Sequence, residues 1–268
     1  MLNVLLWNLH RRSLEPLVTE LADEHNLDLI LLIEPPATWG HIISKASGTP
    51  WNRFASHRRF CVLAHAGVEL ELLSPLAPTS RVNFWRVPRS SGLDLLLVLV
   101  HGKDRRNYDD GTRSLDFSQI KSEVRHFERR YGHHRTCVVG DFNANPFEVA
   151  MASVLGLHAL GVRSFSGESE RVIGGGTHDF FYNPMWRRFG HGSDSASATY
   201  YHKGYNALEL GWHMLDQVVL RSDLLPYFDE LTLRILSSTR TVKMVDEFGH
   251  PDSRAASDHL PILFTLNI

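Results

Sequence analysis

Thr136-Cys137-Val138-Val139-Gly140-Asp141-Phe142-Asn143-Ala144-Asn145-Pro146 is the segment on which the reading of this chain turns. Thr136 to Asp141 is a short, nearly continuous apolar run that closes on a carboxylate. A run of that length without polar alternation reads as a strand covered on both faces. Asn145-Pro146 then predicts the start of a helix, with Asn as its cap and Pro at the first helical position, where the missing N–H is not needed. The segment therefore delivers an acid at the C-terminal end of a buried strand.

The same pattern recurs on either side. Leu2 to Leu9 reads as a strand containing Trp7-Asn8, and Ser13 is the expected cap of a helix to about His25, with Leu14, Leu17, Val18 and Leu21 on one face. Asp28 to Glu34 is a second buried run that ends in an acid. Phe60–Ala64, Val68–Leu73 and Val82–Val87 read as successive strands of a meander, and Leu93–His101 as a buried strand ending in a polar residue. From Thr112 to Tyr131, Phe117, Ile120, Val124, Phe127 and Tyr131 recur at helical spacing, and Gly132 can end the helix. Met214–Leu220 and Leu260–Leu266 read as the last strands. The stretch from Gly161 to Gly211 is rich in Gly, Ser, His, Arg and aromatics, and is read as long functional loops within one domain spanning residues 1–268.

A chain of 268 residues, 43% hydrophobic and 22% charged, has the composition of an ordinary globular protein, large enough to bury a core without staples. The formal net charge of −2 excludes a global basic field, so binding to a phosphate polymer would need a local basic patch. The two cysteines, Cys61 and Cys137, sit in apolar runs and read as buried small hydrophobes, which fits a reducing compartment, the cytoplasm. The N-terminal apolar run lacks a basic flank and a cleavage site, and no apolar run approaches the roughly 20 residues of a membrane span.

Several strands that should be buried thus end in polar side chains: Asn8, Glu34, His101, Asp141 and Asp216. A single Asp after a strand is commonly a turn or a cap, but the repetition predicts convergence on one rim. Glu34, Asn8, Asp141 and Asp258 offer oxygen donors of the kind that Mg²⁺ or Mn²⁺ prefers, and the thiol–imidazole clusters of structural zinc are missing. An oxygen-bound cation beside a histidine suits phosphoryl chemistry: the cation stabilises developing charge and the histidine activates water.

With these motifs in view, the chain resembles the endonuclease/exonuclease/phosphatase superfamily. Trp7-Asn8-Leu9, Leu32-Ile33-Glu34, Val100-His101, Gly140 to Pro146, Leu215-Asp216-Gln217 and Ser257-Asp258-His259-Leu260-Pro261-Ile262 run in the family's order. The resemblance implies an α/β (α+β) fold, a four-layer αββα sandwich with two mostly antiparallel sheets. It implies a Mg²⁺ site using Glu34, with Asn8 and Asp258 nearby. It also implies His259 as the base that activates water, Asp216 as the acid orienting it, Asp141 and Asn143 as the pair that positions nucleophile and phosphate, and His101 as a contact to the scissile phosphate. Pro35-Pro36 after Glu34 departs from the abasic-site repair branch, where a lysine stands two residues after the glutamate, and His101 replaces a tyrosine expected near that place; both count against that activity.

The substrate stays open at this point. Nucleic acid is favoured by Arg11-Arg12, Arg58-Arg59, Arg105-Arg106 and Arg187-Arg188, with Arg11 and Arg105 following rim-type strand ends. Tyr182 and Trp186, in Tyr182-Asn183-Pro184-Met185-Trp186, either wall a substrate pocket or pack their rings on the domain. A small phosphoester, such as a nucleotide or lipid headgroup, would use the same centre. A non-catalytic binding protein on the same fold would be marked by loss of His259 or Glu34, and both are present.

Overall fold

Parallel strands need a long crossover between them, usually a helix, and among the described residues two parallel pairs are joined by a helix, each at a place where the sequence shows a polar strand end. The computed structural model describes residues 1–37, 51–56, 59–90, 92–163, 170–189, 196–204 and 211–268; Arg58 lies outside them, as do parts of the 161–211 stretch. In chain order the strands are β1 (Leu2–Asn8), β2 (Leu29–Ile33), β3 (Trp51–Ser56), β4 (Phe60–His65), β5 (Glu71–Leu73), β6 (Val82–Val87), β7 (Leu95–His101), β8 (Thr136–Asp141), β9 (Ala159–Leu160), β10 (Glu170–Ile173), β11 (Gly176–Asp179), β12 (Phe181–Tyr182), β13 (Tyr200–Tyr201), β14 (Trp212–His213), β15 (Asp216–Leu220), β16 (Arg234–Ile235) and β17 (Ile262–Leu266). The helices are α1 (Glu15–Glu24), α2 (Asp110–Tyr131), α3 (Val149–Ala152) and α4 (Met185–Arg188). Two compact units divide them.

The first unit comprises residues 1–70, 190–216 and 229–268. Its sheet has the order β16-β17-β1-β2-β4-β3. The pairing is antiparallel except between β1 and β2, which run parallel with Asn8 opposite Ile33. The helix between them, α1, buries Leu17, Val18, Leu21 and Ala22. It starts at Glu15 with Pro16 in its first turn and no side-chain cap, so Ser13 is not the cap that the sequence predicted. β3 escaped the sequence reading because an edge strand carries exposed polar positions such as Asn52 and Arg53.

The second unit comprises residues 71–189 and 217–228. Its mixed sheet has the order β5-β6-β7-β8-β15-β12-β9, with β7 and β8 parallel and His101 opposite Asp141. The crossover α2 is capped by Asp109, whose side chain accepts from Thr112 N, and ends at Gly132 in the left-handed conformation. Its face of Phe117, Ile120, Val124 and Phe127 packs with Val98, Val100, Val138 and Phe142 of the sheet side. Phe84–Phe127 and Phe117–Phe142 ring centroids lie 5.1 and 5.7 Å apart. Each such side chain contributes about 1.5–3 kcal/mol by leaving water.

Three expectations change between Val68 and Tyr182. Only Glu71–Leu73 of the predicted 68–73 strand pairs, because Val68 N closes a turn onto His65 O. Asn145-Pro146 opens a turn rather than a helix: Glu148 N bonds Asn145 O, the Glu148 carboxylate accepts from Asn145 N, and α3 begins at Val149. The stretch from 161 onward is not all loop. β10 and β11 form a hairpin through Gly174 and Gly175, both at the positive φ that a tight hairpin turn requires, and β12 is inserted between β15 and β9.

Candidate active site

Parallel neighbours end at the same edge of a sheet, and this property gathers the polar strand ends. In the first unit the register that sets Asn8 beside Ile33 brings Glu34 next to the end of β1. Leu9 N bonds Ile33 O and Arg11 N bonds Glu34 O, both at 2.8 Å. β17 runs antiparallel to β1, so the residues just before it, Asp258 and His259, belong to the same edge. Ser257 ties the two together: its hydroxyl donates to Asn8 O at 2.7 Å and accepts from His259 N at 3.2 Å. Trp7 Nε1 donates to His259 O at 2.8 Å.

His259 is held on both sides. Its Nδ1 lies 2.6 Å from Asp216 Oδ2, with both side chains buried. A carboxylate there fixes the proton on Nδ1 and leaves Nε2 as the basic nitrogen. Tyr200 lies against the imidazole, with ring centroids 5.0 Å apart. Asp216 N donates to Thr199 Oγ1, and Leu260 N donates to Thr199 O. The other oxygen of Asp216, Oδ1, is buried with no hydrogen-bond partner among the described residues. A buried acceptor left unmatched by the protein is costly.

The second unit holds the remaining group. His101 Nε2 stands 4.0 Å from Asp141 Oδ2, beyond hydrogen-bond reach. Asp141 Oδ1 accepts from Asn143 N at 2.8 Å, and Asn143 Nδ2 donates to Gly102 O at 3.2 Å. Asn143 has φ 51°, a strained conformation for a residue with a side chain. Buried Arg113 pins it: Nη2 donates to Asn143 O at 2.6 Å and pairs with Glu148 Oε2 at 2.9 Å. Gly102 and Gly140 allow the strand ends to close up, since a Cβ on either would meet the Phe142 or Val100 carbonyl oxygen at 2.2 or 2.0 Å.

No family model and no curated protein matches the chain. Solved structures do. TDP2 of D. rerio, complexed with a single-strand DNA product, is 15% identical with a TM-score of 0.61, over 100% of this chain and 99% of that one. An AP endonuclease from Archaeoglobus fulgidus is 13% identical with a TM-score of 0.58, over the whole of both chains. The 3' phosphatase NExo from Neisseria, bound to a product DNA hairpin, is 14% identical with a TM-score of 0.58, also over both whole chains. The chain has the deoxyribonuclease-I-like fold. The expected fold class, an αββα sandwich, is thereby borne out; identities of this size carry the fold and no activity.

Within the deoxyribonuclease-I-like fold the donor set of the first unit fits a hard cation. Glu34 and Asp258 are partly exposed carboxylates, and Asn8 adds an amide oxygen that also accepts from His10 N. Beside them stand the largely exposed His10, 3.6 Å from Asp258, and Arg11, 3.9 Å from Glu34. His10, Arg11 and Glu34 all have positive φ, at 47°, 59° and 47°. Residues held at such φ cost free energy and persist only where the surrounding structure fixes them.

The remaining predicted residues separate. Arg105 is 55% exposed, with Nε 3.6 Å from Glu148 Oε2. Trp186 is exposed on α4. Tyr182 is 4% exposed, paired with Leu220 and Leu160, and packs among the buried residues of the second unit. Sequence reasoning missed Thr199, Tyr200, Ser257, Arg113 and Glu148. Ser257 adjoins Asp258-His259 and was open to discovery, whereas Thr199 and Tyr200 sit in a Gly/Ser-rich stretch with no local signal.

Proposed function

We propose that the chain is a metal-dependent phosphodiesterase, a nuclease that hydrolyses nucleic-acid phosphodiester bonds. The observation that carries this reading is the buried His259–Asp216 pair at 2.6 Å, which leaves Nε2 of a neutral imidazole to accept a proton from water. Glu34, Asp258 and Asn8 would hold Mg²⁺ or Mn²⁺, which supplies charge stabilisation at a phosphoryl oxygen. Asn143 donates its amide to the phosphate, Asp141 orients the attacking water, and His101 contacts the scissile group. Arg11 and Arg105 bind flanking phosphates. Residues 1–268 are read as one catalytic domain. Buried Cys61 and Cys137 support a reducing compartment, the cytoplasm; no helix among the described residues is long and apolar enough to cross a membrane.

The test is hydrolysis of single- and double-stranded nucleic acid and of small phosphoesters with Mg²⁺ or Mn²⁺. Wild type should cleave nucleic acid, and His259→Ala and Glu34→Ala should abolish cleavage with the fold intact. Full activity in excess EDTA would overturn the metal assignment. The net charge of −2 favours the competing reading, a small phosphoester; flat salt dependence of binding would support it, and a steep fall would support nucleic acid.

A further inference from the structure

The loop that carries Asp141 and Asn143 also turns apolar surface outward. Phe147 is 43% exposed and Val149 59% exposed, while Pro146, Glu148 and Ala150 between and beside them are buried. The Phe147 ring meets Phe189 with centroids 5.8 Å apart and planes at 55°. Phe189 is the residue that follows α4, and three residues before it stands Trp186, 38% exposed. Trp186 thus lies close in sequence to the ring that Phe147 meets. Gly161 backs the indole closely enough that a Cβ there would come within 2.6 Å of it, so the ring rests on backbone. Scattered exposed apolar residues are ordinary, but contiguous rings are a mark of a binding surface.

Charge stands beside these rings. Glu148, the residue after Phe147, holds the exposed Arg105 at 3.6 Å. Phe147 stands four positions after Asn143, a span that cannot exceed about 14 Å even fully extended. A phosphate bound at Asn143 therefore has its neighbouring nucleotide within reach of Phe147. Rings take the faces of bases, and in a duplex those faces are covered by their neighbours; only an unpaired strand offers them.

We propose that Phe147, Phe189 and Trp186 form a base-stacking platform for single-stranded nucleic acid beside the phosphate held by Asn143, with Arg105 on the backbone. This rests on the nuclease reading and names its substrate as a strand with unpaired bases. The experiment compares, by fluorescence anisotropy in EDTA, binding of wild-type protein to a short single-stranded oligonucleotide and to a strand of equal length built from abasic sugar–phosphate units. The two strands carry equal charge, so their phosphate contributions cancel in the ratio of affinities. Wild type should favour the base-bearing strand by about five- to a hundredfold. Phe147→Ala with Phe189→Ala should remove most of that ratio by weakening only the base-bearing strand, and Phe147→Trp should retain it. Equal affinities of wild type for the two strands, binding of neither, or a parallel loss on both strands in the double variant each overturns the platform. Cleavage of the base-bearing strand in Mg²⁺ is scored separately: its absence would refute the nuclease reading, whereas the affinity ratio still decides the platform.

Discussion

Replacing Arg113 by Met should destabilise the second unit severely, and the size of the loss follows from its contacts. Arg113 is almost wholly buried and pairs at 2.9 Å with Glu148, which is itself buried. Removing one partner of such a pair strands the other charge, at about 3–5 kcal/mol. Arg105 stays 3.6 Å from the same Glu148 oxygen and partly compensates, which places this contribution near the lower end. Asn143 O loses its 2.6 Å donor, and an orphaned acceptor costs about 1–3 kcal/mol. The contact to exposed Asp110 is worth about 0–1 kcal/mol. One guanidinium serves all three, so the contributions do not add, and the expected loss is about 4 kcal/mol, a large part of the ~5–15 kcal/mol of a typical domain. Urea unfolding followed by tryptophan fluorescence measures it: with an m-value of about 3 kcal/mol/M the midpoint falls by about 1.3 M. Adding Glu148→Gln removes the stranded charge while an amide oxygen remains for Asn145 N, and should restore about half of the loss. A single variant that loses less than about 1 kcal/mol at unchanged m, or a double variant no more stable than the single, would refute the reasoning.

Four further outcomes follow from other contacts. Asp216→Asn should lower turnover of a phosphodiester by about 10²–10⁴ while circular dichroism stays unchanged, because the proton on His259 Nδ1 loses its carboxylate; wild-type turnover would remove Asp216 from the mechanism. Trp7→Phe leaves the buried His259 carbonyl without its indole donor and should cost about 1–3 kcal/mol in thermal unfolding; an unchanged Tm would contradict that bond. Gly140→Ala drives a Cβ to 2.0 Å from Val100 O, so β7 and β8 must separate; amide exchange in both strands should accelerate, and wild-type protection would argue against the close approach. Burial, with the charges of Lys121 and Arg171 behind it, holds the His158 imidazole down to about 4, against an ordinary value near 6.5. The unfolded chain therefore takes up a proton between about pH 6.5 and 4 that the folded chain refuses, and stability falls as pH falls through that window by up to about 3 kcal/mol. Urea midpoints of wild type and His158→Asn at pH 7.5 and 4.5 should show the smaller pH dependence in the variant; equal dependence would refute it.

The sequence exposed the strand ends because burial and polarity change abruptly there. β8 ends at Asp141 and β7 at His101, both where the apolar run stops. α2 was equally legible, since its apolar face repeats over many turns. Short pairings were not. Phe181-Tyr182 reads as two aromatics in a loop-like stretch, and only its place between Leu160 and Leu220 makes it a strand with Tyr182 buried. Asn145-Pro146 has the letters of a helix start, but the Glu148 side chain turns back to Asn145 N and to Arg113, and the helix waits until Val149.

Which residue types sit at strand ends, and in what order, was settled by the sequence, because hydrophobic runs set strand limits locally. The tertiary structure alone decided which of them meet. Asp216 finds His259 across 43 residues, Ser257 finds Asn8 across 249, and Glu148 finds Arg113 across 35. A hydrogen bond depends on separation in space, and two choices of strand direction, parallel β1–β2 and parallel β7–β8, bring Asn8 beside Glu34 and His101 beside Asp141. Antiparallel pairing of the same strands would have sent those side chains to opposite edges.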